Sequence, residues 1–297
     1  MEREVNEEGT TKGHARASPR HSPAAQMITV TFTDLRTAFF KLGLSHTPVI
    51  AHASLSAFGE VIGGAETLLR ATLDSVWALV MPTFTYQTMI TPEVGPSDNG
   101  ITYGAELDLN RMAEPFTLDK PADKQMGILP ETLRHHPRAK RSPHPIQSFA
   151  GVYADKFLAA QTLQNPLGPI GALAEADGWV LLLGVDHTVN TSIHYAERLA
   201  GRKQFTRWAL LPDRIIECPG FPGDSAGFEA IAPDLIQETR MVKVGNATVQ
   251  AMPLRALIHA VTERLKADPL ALLCQREDCP RCNAVRESVR NKAAALR

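Results

Sequence analysis

Two features of many binding proteins are missing from this chain of 297 residues, namely long apolar runs and an excess of one charge sign. No apolar run reaches the about 20 residues that a helix needs to span a bilayer. The 31 Lys and Arg residues are balanced by 32 Asp and Glu residues, whereas broad nucleic-acid binding needs a basic excess. The N-terminus has no apolar stretch typical of a signal peptide. We expect a soluble, cytoplasmic protein that binds neither membrane nor nucleic acid.

Cysteine is scarce, and all four cysteines lie in the last third of the chain. A secreted disulfide scaffold would be shorter and richer in cysteine. The spacing of Cys274, Cys279 and Cys282 is close to that of thiolate metal ligands. If Cys218 folds back onto this trio, the four thiolates form a structural zinc site. Reduced, partly buried cysteines without a ligand are the alternative.

The order of predicted elements indicates an α/β protein. Residues 1–26 are charged and poor in large apolar residues, which is typical of a disordered tail. Residues 27–297 form the predicted folded domain, with a Cys-rich segment at about 270–285. Strands are predicted in TPVIAHASL, VWALVMPTFTY, IQSFAGVY and WVLLLGV. Helices are predicted from a Thr33-Asp34 cap to Lys41, at Ala65–Leu73, at Leu129–His135, in SIHYAERLAG stopped by Gly201, and at Arg255–Lys266.

Residues 86–125 form a long irregular segment with seven acidic residues and three basic ones. Irregular segments of this length inside a domain are commonly lids or binding loops. The charge of this segment favours a cationic small molecule as partner.

Three sites carry candidate chemistry. After His52, a strand opens into Ser54, Leu55 and Ser56, and Gly63 and Gly64 then precede a helix. Free amides at a helix N-terminus attract anions, although a tight turn explains these glycines equally well.

A second candidate is the basic stretch RHHPRAKRSPHPIQSF, which contains Arg134, Arg138, Lys140, Arg141 and His144. A group of cations near a Gly-rich turn suits a phosphate-bearing cofactor. A solvated helix end is the alternative.

The third candidate follows the strand WVLLLGV, where a polar loop leads to His194 and Glu197, one helical turn apart. A histidine oriented by a carboxylate is a plausible general base. A lone structural histidine on a helix face is the alternative.

Residues 223–227, with Ser225 at the centre, match the G-x-S-x-G motif of serine hydrolases. That motif needs a strand directly before the serine. The preceding ECPGFPG is predicted to be a loop, which argues against a hydrolase.

Several segments occur in a specific order: HASLSAFGEVIGG, VMPTFTY, MGILPETLRHHPRAKRSPHPIQSFAG, NPLGPIGALAEADGWVLLLGV and NTSIHYAE. Together they resemble the aminoglycoside 3-N-acetyltransferase family, which uses acetyl-CoA. The resemblance implies a single large domain, a three-layer α/β/α sandwich with a mixed sheet. It also implies cytoplasmic acetyl transfer to an aminoglycoside amine, antibiotic resistance and a possible homodimer.

The resemblance also assigns site residues. His194 would be the catalytic base oriented by Glu197, with His52 nearby. Direct transfer is expected, because the cysteines lie far along the chain from these motifs. CoA would contact Ser54, Leu55, Ser56, Gly63, Gly64, Arg141, His144 and Ser148.

The chain departs from the family in one respect near the catalytic histidine. Many members have an acidic residue a few positions before it, and only Asp186 could take that place here. An acceptor other than an aminoglycoside is therefore an alternative, as are a serine hydrolase using Ser225 and a non-catalytic protein that binds CoA or zinc.

Overall fold

Strands and helices alternate along most of the chain in the computed structural model, which describes residues 28–104 and 110–295. The predicted tail at residues 1–26 lies outside these residues. The strands are β1 Thr29–Val30, β2 Pro48–Ala53, β3 Glu60–Val61, β4 Ala78–Pro82, β5 Met89–Ile90, β6 Ala139–Arg141, β7 Phe149–Val152, β8 Trp179–Leu183, β9 Phe205–Leu210, β10 Ile215–Phe221, β11 Arg240–Val244 and β12 Ala247–Pro253. The helices are α1 Phe32–Leu42, α2 Gly64–Leu73, α3 Ile128–Arg134, α4 Asp155–Leu158, α5 Gly168–Glu175, α6 Thr191–Leu199, α7 Leu254–Ala267 and α8 Pro280–Ala295.

A seven-stranded mixed sheet has the order β11-β12-β8-β2-β4-β7-β6. The three central strands β8, β2 and β4 are parallel, and the outer strands on both sides are antiparallel. Alternate residues of the central strands pack into two separate apolar cores, as Val49 and Ile50 show. Helices α1 to α3 cover one face and α5 to α7 cover the other. The predicted three-layer α/β/α sandwich with a mixed sheet is confirmed.

A smaller sheet, with the order β10-β9-β5, was not predicted. Its strand β10 includes residues 217–221 of the stretch that was predicted to be a loop, so that prediction was wrong there. The register shifts between Cys218 and Phe221, and a bulge of this kind accommodates the Pro and Gly residues at a sheet edge.

One predicted helix boundary was wrong by a few residues, and one predicted helix stop was right. Helix α1 is capped by Thr31, whose hydroxyl accepts from the Asp34 amide while the Asp34 carboxylate accepts from the Thr31 amide. Asp34 therefore lies inside the first turn of a capping box. Helix α6 ends at Leu199 with Ala200 as its C-cap, and Gly201 follows in the left-handed region with φ of 74°, so the predicted stop at Gly201 is confirmed. Within the described ranges, no helix has the length and apolar character needed to cross a bilayer.

Candidate active site

A cavity of about 1250 Å³ opens at the carboxyl ends of the three parallel strands. Its walls include Ser54 after β2, Phe84 after β4 and Val185 after β8. Open α/β sheets bind ligands at this edge, beside the strand where the order of the sheet reverses. Strand β2 is that strand, since β4 lies on one side of it and β8 on the other. The volume exceeds the about 300–1,000 Å³ of a typical small-molecule site, so two substrates can enter together.

The structure brings together one half of the predicted site residues and leaves the other half outside this cavity. The lining includes His52, Ser54, Leu55, Ser56, Gly64 and His194. Gly63, Arg141, His144, Ser148, Asp186 and Glu197 are not among the described residues that line it.

His194 lies on the buried side of α6 and reaches the cavity. Asn190 positions the start of this helix, because its side chain accepts from the Ser192 amide at 3.1 Å. The Nδ1 atom of His194 is 2.8 Å from Oε2 of Glu197. A carboxylate only accepts, so Nδ1 carries the proton and Nε2 has the free lone pair that a general base needs. The imidazole packs edge-on against Phe228, with 4.6 Å between the ring centroids.

Arg202, which was not predicted from the sequence, forms a chain of three polar side chains with Glu197 and His194. Its NH1 atom donates to Oε1 of Glu197 at 2.7 Å. Its NH2 atom donates to the carbonyls of Pro269 and Ala271, both at 2.8 Å. The arginine compensates the buried negative charge of Glu197 and fixes the carboxylate that orients His194. Arg202 lies five positions after Glu197, beyond the end of α6, so the periodicity of a helix could not predict their contact.

His52 lies at the end of β2 and is nearly completely buried. Burial and the neighbouring His187 lower the pKa of His52 to about 3. Its Nε2 atom has no hydrogen-bond partner among the described residues. A neutral imidazole with an unpaired nitrogen therefore contributes to the wall of the cavity.

The turn after β2 exposes backbone amides to the cavity. The amide of Ser54 donates to the Leu183 carbonyl at 2.9 Å and is occupied. The amides of Leu55 and Ser56 begin a 3₁₀ helix, and neither donates to an acceptor within the described residues. Two donors therefore remain available for a ligand.

Gly63 and Gly64 start helix α2 in the left-handed region, with φ of 77° and 59°. At Gly63 a Cβ atom would lie 2.3 Å from the Thr67 hydroxyl, whereas at Gly64 it would meet nothing within 4 Å. Gly63 shapes the turn from behind and Gly64 faces the open cavity. The ten-residue helix thus presents its N-terminus to the cavity.

Arg141 and Ser148 are held inside the cavity wall. Arg141 donates through Nε to the Ser148 hydroxyl at 3.0 Å and through NH2 to the Thr83 carbonyl at 2.7 Å. Its NH1 atom bonds the carbonyls of Leu118 and Lys120. Arg141 therefore ties part of the 86–125 segment to the end of β4.

His144 is buried beside this group, and its Nδ1 atom accepts from the amides of Ile146 and Gln147 at 3.2 and 3.0 Å. Burial lowers the pKa of His144 to about 4. The contact of Arg141, His144 and Ser148 with the pantetheine arm stays a prediction.

Asp186 is exposed and caps a short 3₁₀ helix over His187–Val189. Its carboxylate accepts from the amide and the hydroxyl of Thr188. No bond between Asp186 and His194 occurs in the described part of the chain. Glu197 carries out the orienting role instead.

The acidic residues of the 86–125 segment do not line the cavity within the described part of that segment. Asp98 pairs with Lys203, Glu114 pairs with Lys120, and Asp123 caps a 3₁₀ turn. Apart from histidines, the charged residues that line the cavity among those described are Arg207, Asp224 and Arg281.

Ser225 lies in the cavity wall, in the loop after β10. The strand ends four residues earlier, at Phe221, on a small antiparallel sheet. No histidine among the described residues hydrogen-bonds to Ser225. The strand, sharp turn and histidine of a nucleophile elbow are therefore not present at this serine.

The four cysteines do not come together as predicted. Cys218 is buried on β10 within an apolar cluster, and burial raises the pKa of its thiol to about 12. The other three lie close to one another, and Asp224 takes the fourth place in the group. The prediction of a four-cysteine site was therefore wrong in its first ligand.

Comparisons with known proteins agree with the motifs. Residues 50–266 match the family model described as aminoglycoside 3-N-acetyltransferase. The chain is 33% identical over 187 residues to the prophage-derived aminoglycoside N(3')-acetyltransferase-like protein YokD of Bacillus subtilis, covering 59% of this chain and 66% of that one. It is 36% identical over 179 residues to aminoglycoside N(3)-acetyltransferase VII of Streptomyces paromomycinus, covering 58% and 61%. The alignments thus span slightly less than two thirds of these relatives.

Solved structures show the same fold. The apoenzyme of aminoglycoside acetyltransferase AAC(3)-IVa superposes with a TM-score of 0.73 at 24% identity, covering 89% of this chain and all of that chain. A mutant of that enzyme in complex with a gentamicin gives a TM-score of 0.70 at 24% identity, with the same coverage. The enzyme AAC-IIIb bound to CoASH gives 0.65 at 23% identity, covering 80% and 97%. With a family match across more than half of its residues, the chain belongs to the aminoglycoside 3-N-acetyltransferase family.

Proposed function

We propose that this protein transfers an acetyl group from acetyl-CoA to the 3-amino group of the 2-deoxystreptamine ring of an aminoglycoside. The observation that carries the proposal is the pair of His194 and Glu197, oriented by Arg202 at the edge of a cavity large enough for two substrates. Family membership and the CoA and gentamicin complexes of the structural neighbours support the choice of substrates.

His194 would act as the general base. Aminoglycoside amines are largely protonated at neutral pH, and only the neutral amine, formed by loss of one proton to solvent, has the lone pair that attacks the thioester carbonyl. Its nitrogen then needs to lose a second proton as the C–N bond forms. The free Nε2 of His194 accepts that proton while Nδ1 keeps its bond to Glu197. The new C–N bond forms, the C–S bond breaks, and the proton on Nε2 goes to the departing CoA thiolate. The buried carboxylate stabilises the imidazolium between these steps.

The turn after β2 would stabilise the oxyanion. Negative charge develops on the carbonyl oxygen in the tetrahedral intermediate and needs fixed donors. The unpaired amides of Leu55 and Ser56 are such donors. The imidazole of His52, neutral at physiological pH, adds no charge to this wall, and its buried Nε2 atom has no hydrogen-bond partner among the described residues.

The N-terminus of α2 would receive the phosphates of acetyl-CoA. The amides of its first turn are oriented towards the cavity at Gly64, where no Cβ limits the approach. Arg141 and Ser148, through their bonds to the Thr83 carbonyl, would hold the wall next to the pantetheine arm together with the neighbouring His144. Transfer would be direct, because none of the four cysteines lines the cavity.

A second candidate acceptor is an amine with fewer positive charges than an aminoglycoside. The described lining carries two arginines and one aspartate besides its histidines, and this balance is not the one expected for a polycation. The chemistry at His194 would be unchanged.

The experiment is the release of free CoA from acetyl-CoA, measured with a thiol reagent against a panel of acceptors. Release with an aminoglycoside that has a free 3-amino group, and none with a matched aminoglycoside lacking it, is the expected result. Release only with simple monoamines would establish the second candidate. If no acceptor supports release, calorimetry with CoA separates two cases. If CoA binds, only the identity of the acceptor is wrong. If CoA does not bind, the proposal as a whole is contradicted.

The alternative of a serine hydrolase can be tested separately from acetyl transfer. Labelling of Ser225 by a fluorophosphonate probe would contradict the assignment of chemistry to His194. We expect no labelling, because no histidine in the described ranges hydrogen-bonds to this serine.

A further inference from the structure

Three cysteines and one aspartate, far apart in sequence, meet at the outer side of the cavity wall. One ligand atom from each of Asp224, Cys274, Cys279 and Cys282 lies within 4.8 Å of every other. In a tetrahedral zinc site with Zn–S bonds of about 2.3 Å, neighbouring ligand atoms lie about 3.8 Å apart. A small contraction would therefore bring these four atoms to the ligand distances of zinc.

We propose that Asp224, Cys274, Cys279 and Cys282 form a structural zinc site that holds the cavity loop 222–226 against the C-terminal helix. The site goes beyond the proposed acetyl transfer and does not depend on it. It also differs from the four-cysteine site predicted from the sequence, because Cys218 is replaced by a carboxylate from the loop after β10.

The local backbone favours ligation. Cys279 and Cys282 flank the start of α8, and the Asn283 amide donates to the Cys279 carbonyl at 2.9 Å. This turn directs two thiols of a C-x2-C pair to one side, as in thiolate metal sites. Cys274 is fixed from behind, because Arg286 donates to its carbonyl at 2.7 Å. Outer contacts of this kind orient metal ligands.

The charges around the group also fit a divalent cation. The three cysteines are buried, and the Asp224 side chain is only 10% exposed. Three thiolates and a carboxylate around one Zn²⁺ leave a net charge of two negative. Two guanidinium groups match it, since Arg276 and Arg281 contact Asp224 at 2.9 and 3.5 Å. A carboxylate has enough lone pairs to accept from arginine and to bind a metal.

The site would shape the substrate cavity. Asp224 and Arg281 line the cavity themselves, and Arg281 also donates to the Gly223 carbonyl at 2.9 Å. At Gly227 a Cβ would lie 2.5 Å from the Leu273 carbonyl, so the loop is packed directly on the chain that leads to Cys274. A metal bound to both segments fixes this wall without touching His194.

The test is elemental analysis of the full-length protein, purified without a histidine tag and without chelator. We expect about one zinc per chain and release of that zinc when a mercurial reagent titrates the thiols. Replacement by Co²⁺ should give the visible absorption bands of tetrahedral cobalt bound to thiolates. These two readouts use the wild-type protein and need no variant to fold.

Matched variants assign the ligands. The Cys279→Ser/Cys282→Ser protein should lose its zinc, whereas Cys218→Ser should keep it. Asp224→Asn should weaken zinc retention at least tenfold in competition with a chelator. Asp224→His, which supplies another zinc ligand, should restore it. If Asp224 only paired with the arginines, Asp224→His would not restore zinc retention.

Hydrogen exchange provides the structural readout. After chelation, exchange should rise in residues 222–228 and 272–285 and stay unchanged in α2. Well under one zinc per chain with four reactive thiols would overturn the proposal, as would two missing thiols that indicate a disulfide. Zinc that Cys218→Ser removes and Cys279→Ser/Cys282→Ser retains would overturn the ligand set.

Discussion

At the scale of single residues, two histidines on one cavity are prepared for different roles by their partners. His194 has a carboxylate on Nδ1, which fixes the tautomer and leaves Nε2 as an acceptor. His52 is buried without an acidic partner, so it stays neutral. The same residue type is thus a candidate base at one position and a fixed neutral dipole at the other.

His52 provides a prediction on the pH dependence of stability. Its folded pKa is about 3, against the usual value of about 6.5 in the unfolded chain. Between these values only the unfolded chain binds the proton, so stability is present above pH 6.5 and is lost as pH falls. The loss approaches about 1.4 kcal/mol per pH unit within this window.

Urea unfolding from pH 6 to pH 4 tests this prediction. His52→Asn should lower the slope of unfolding free energy against pH by about 1.4 kcal/mol per unit relative to the parent. His144 has a pKa of about 4 for the same reason, which is burial. It therefore still contributes to the pH dependence of the unfolding free energy in the His52→Asn variant. Equal slopes in parent and variant would show that His52 is not buried as described.

The pair of His194 and Glu197 could be predicted from sequence, because residues three apart share a helix face. The contact of Arg202 with this pair could not be predicted, since Arg202 reaches Glu197 from beyond the helix end and is fixed by carbonyls about seventy residues later. In the same way, the wall positions of Arg141 and Ser148 depend on Thr83, which directly follows β4 and is far from both in sequence.

At the scale of elements, α6 connects the site to the rest of the fold. Its first turn is capped by Asn190, its inner face carries His194 and Glu197, and its end is tied through Arg202 to residues 269–271. In the buried ion pair, both carboxylate oxygens of Glu197 have partners and both terminal nitrogens of Arg202 donate. Removing one partner of such a pair leaves an uncompensated buried charge.

Arg202→Met should therefore lower the free energy of unfolding by about 3–5 kcal/mol. The control is Arg198→Met in the last turn of α6, where the Arg198 guanidinium contacts the neutral groups of Asn165 and Gln164. We expect the control to lose about 1 kcal/mol or less. Denaturant unfolding of both variants measures the difference. Similar losses in the two would contradict the role of Arg202 in compensating Glu197.

The central elements could be predicted because each signal was local. Strands β2, β4 and β8 are continuous apolar runs, as expected for parallel strands buried on both faces, and α7 has clear helical periodicity. Strands β9 and β10 were missed; they belong to a small three-stranded sheet in which β10 is an edge strand. Pro and Gly in β10 are typical of a loop, and only the pairing with β9 makes them part of a strand.

At the scale of the whole molecule, the order of the strands determines where chemistry occurs. The three-layer fold was expected from a resemblance, whereas the register and strand order come from contacts distant in sequence. Contacts distant in sequence also decided the composition of the group formed by Cys274, Cys279 and Cys282. Spacing indicated three ligands, but Asp224 lies fifty residues before Cys274 and joins them only in the folded chain.

The central claim is that His194 removes the proton from an acceptor amine during acetyl transfer. The most direct measurement is the steady-state rate of CoA release by the wild-type protein, by His194→Ala and by a matched control, His259→Ala, at an exposed position on α7. The account predicts a fall in kcat of about 10²–10⁴-fold for His194→Ala, in a protein that still folds and binds CoA, and no change for the control. A His194→Ala protein that keeps its rate within a few fold of the wild type would contradict it.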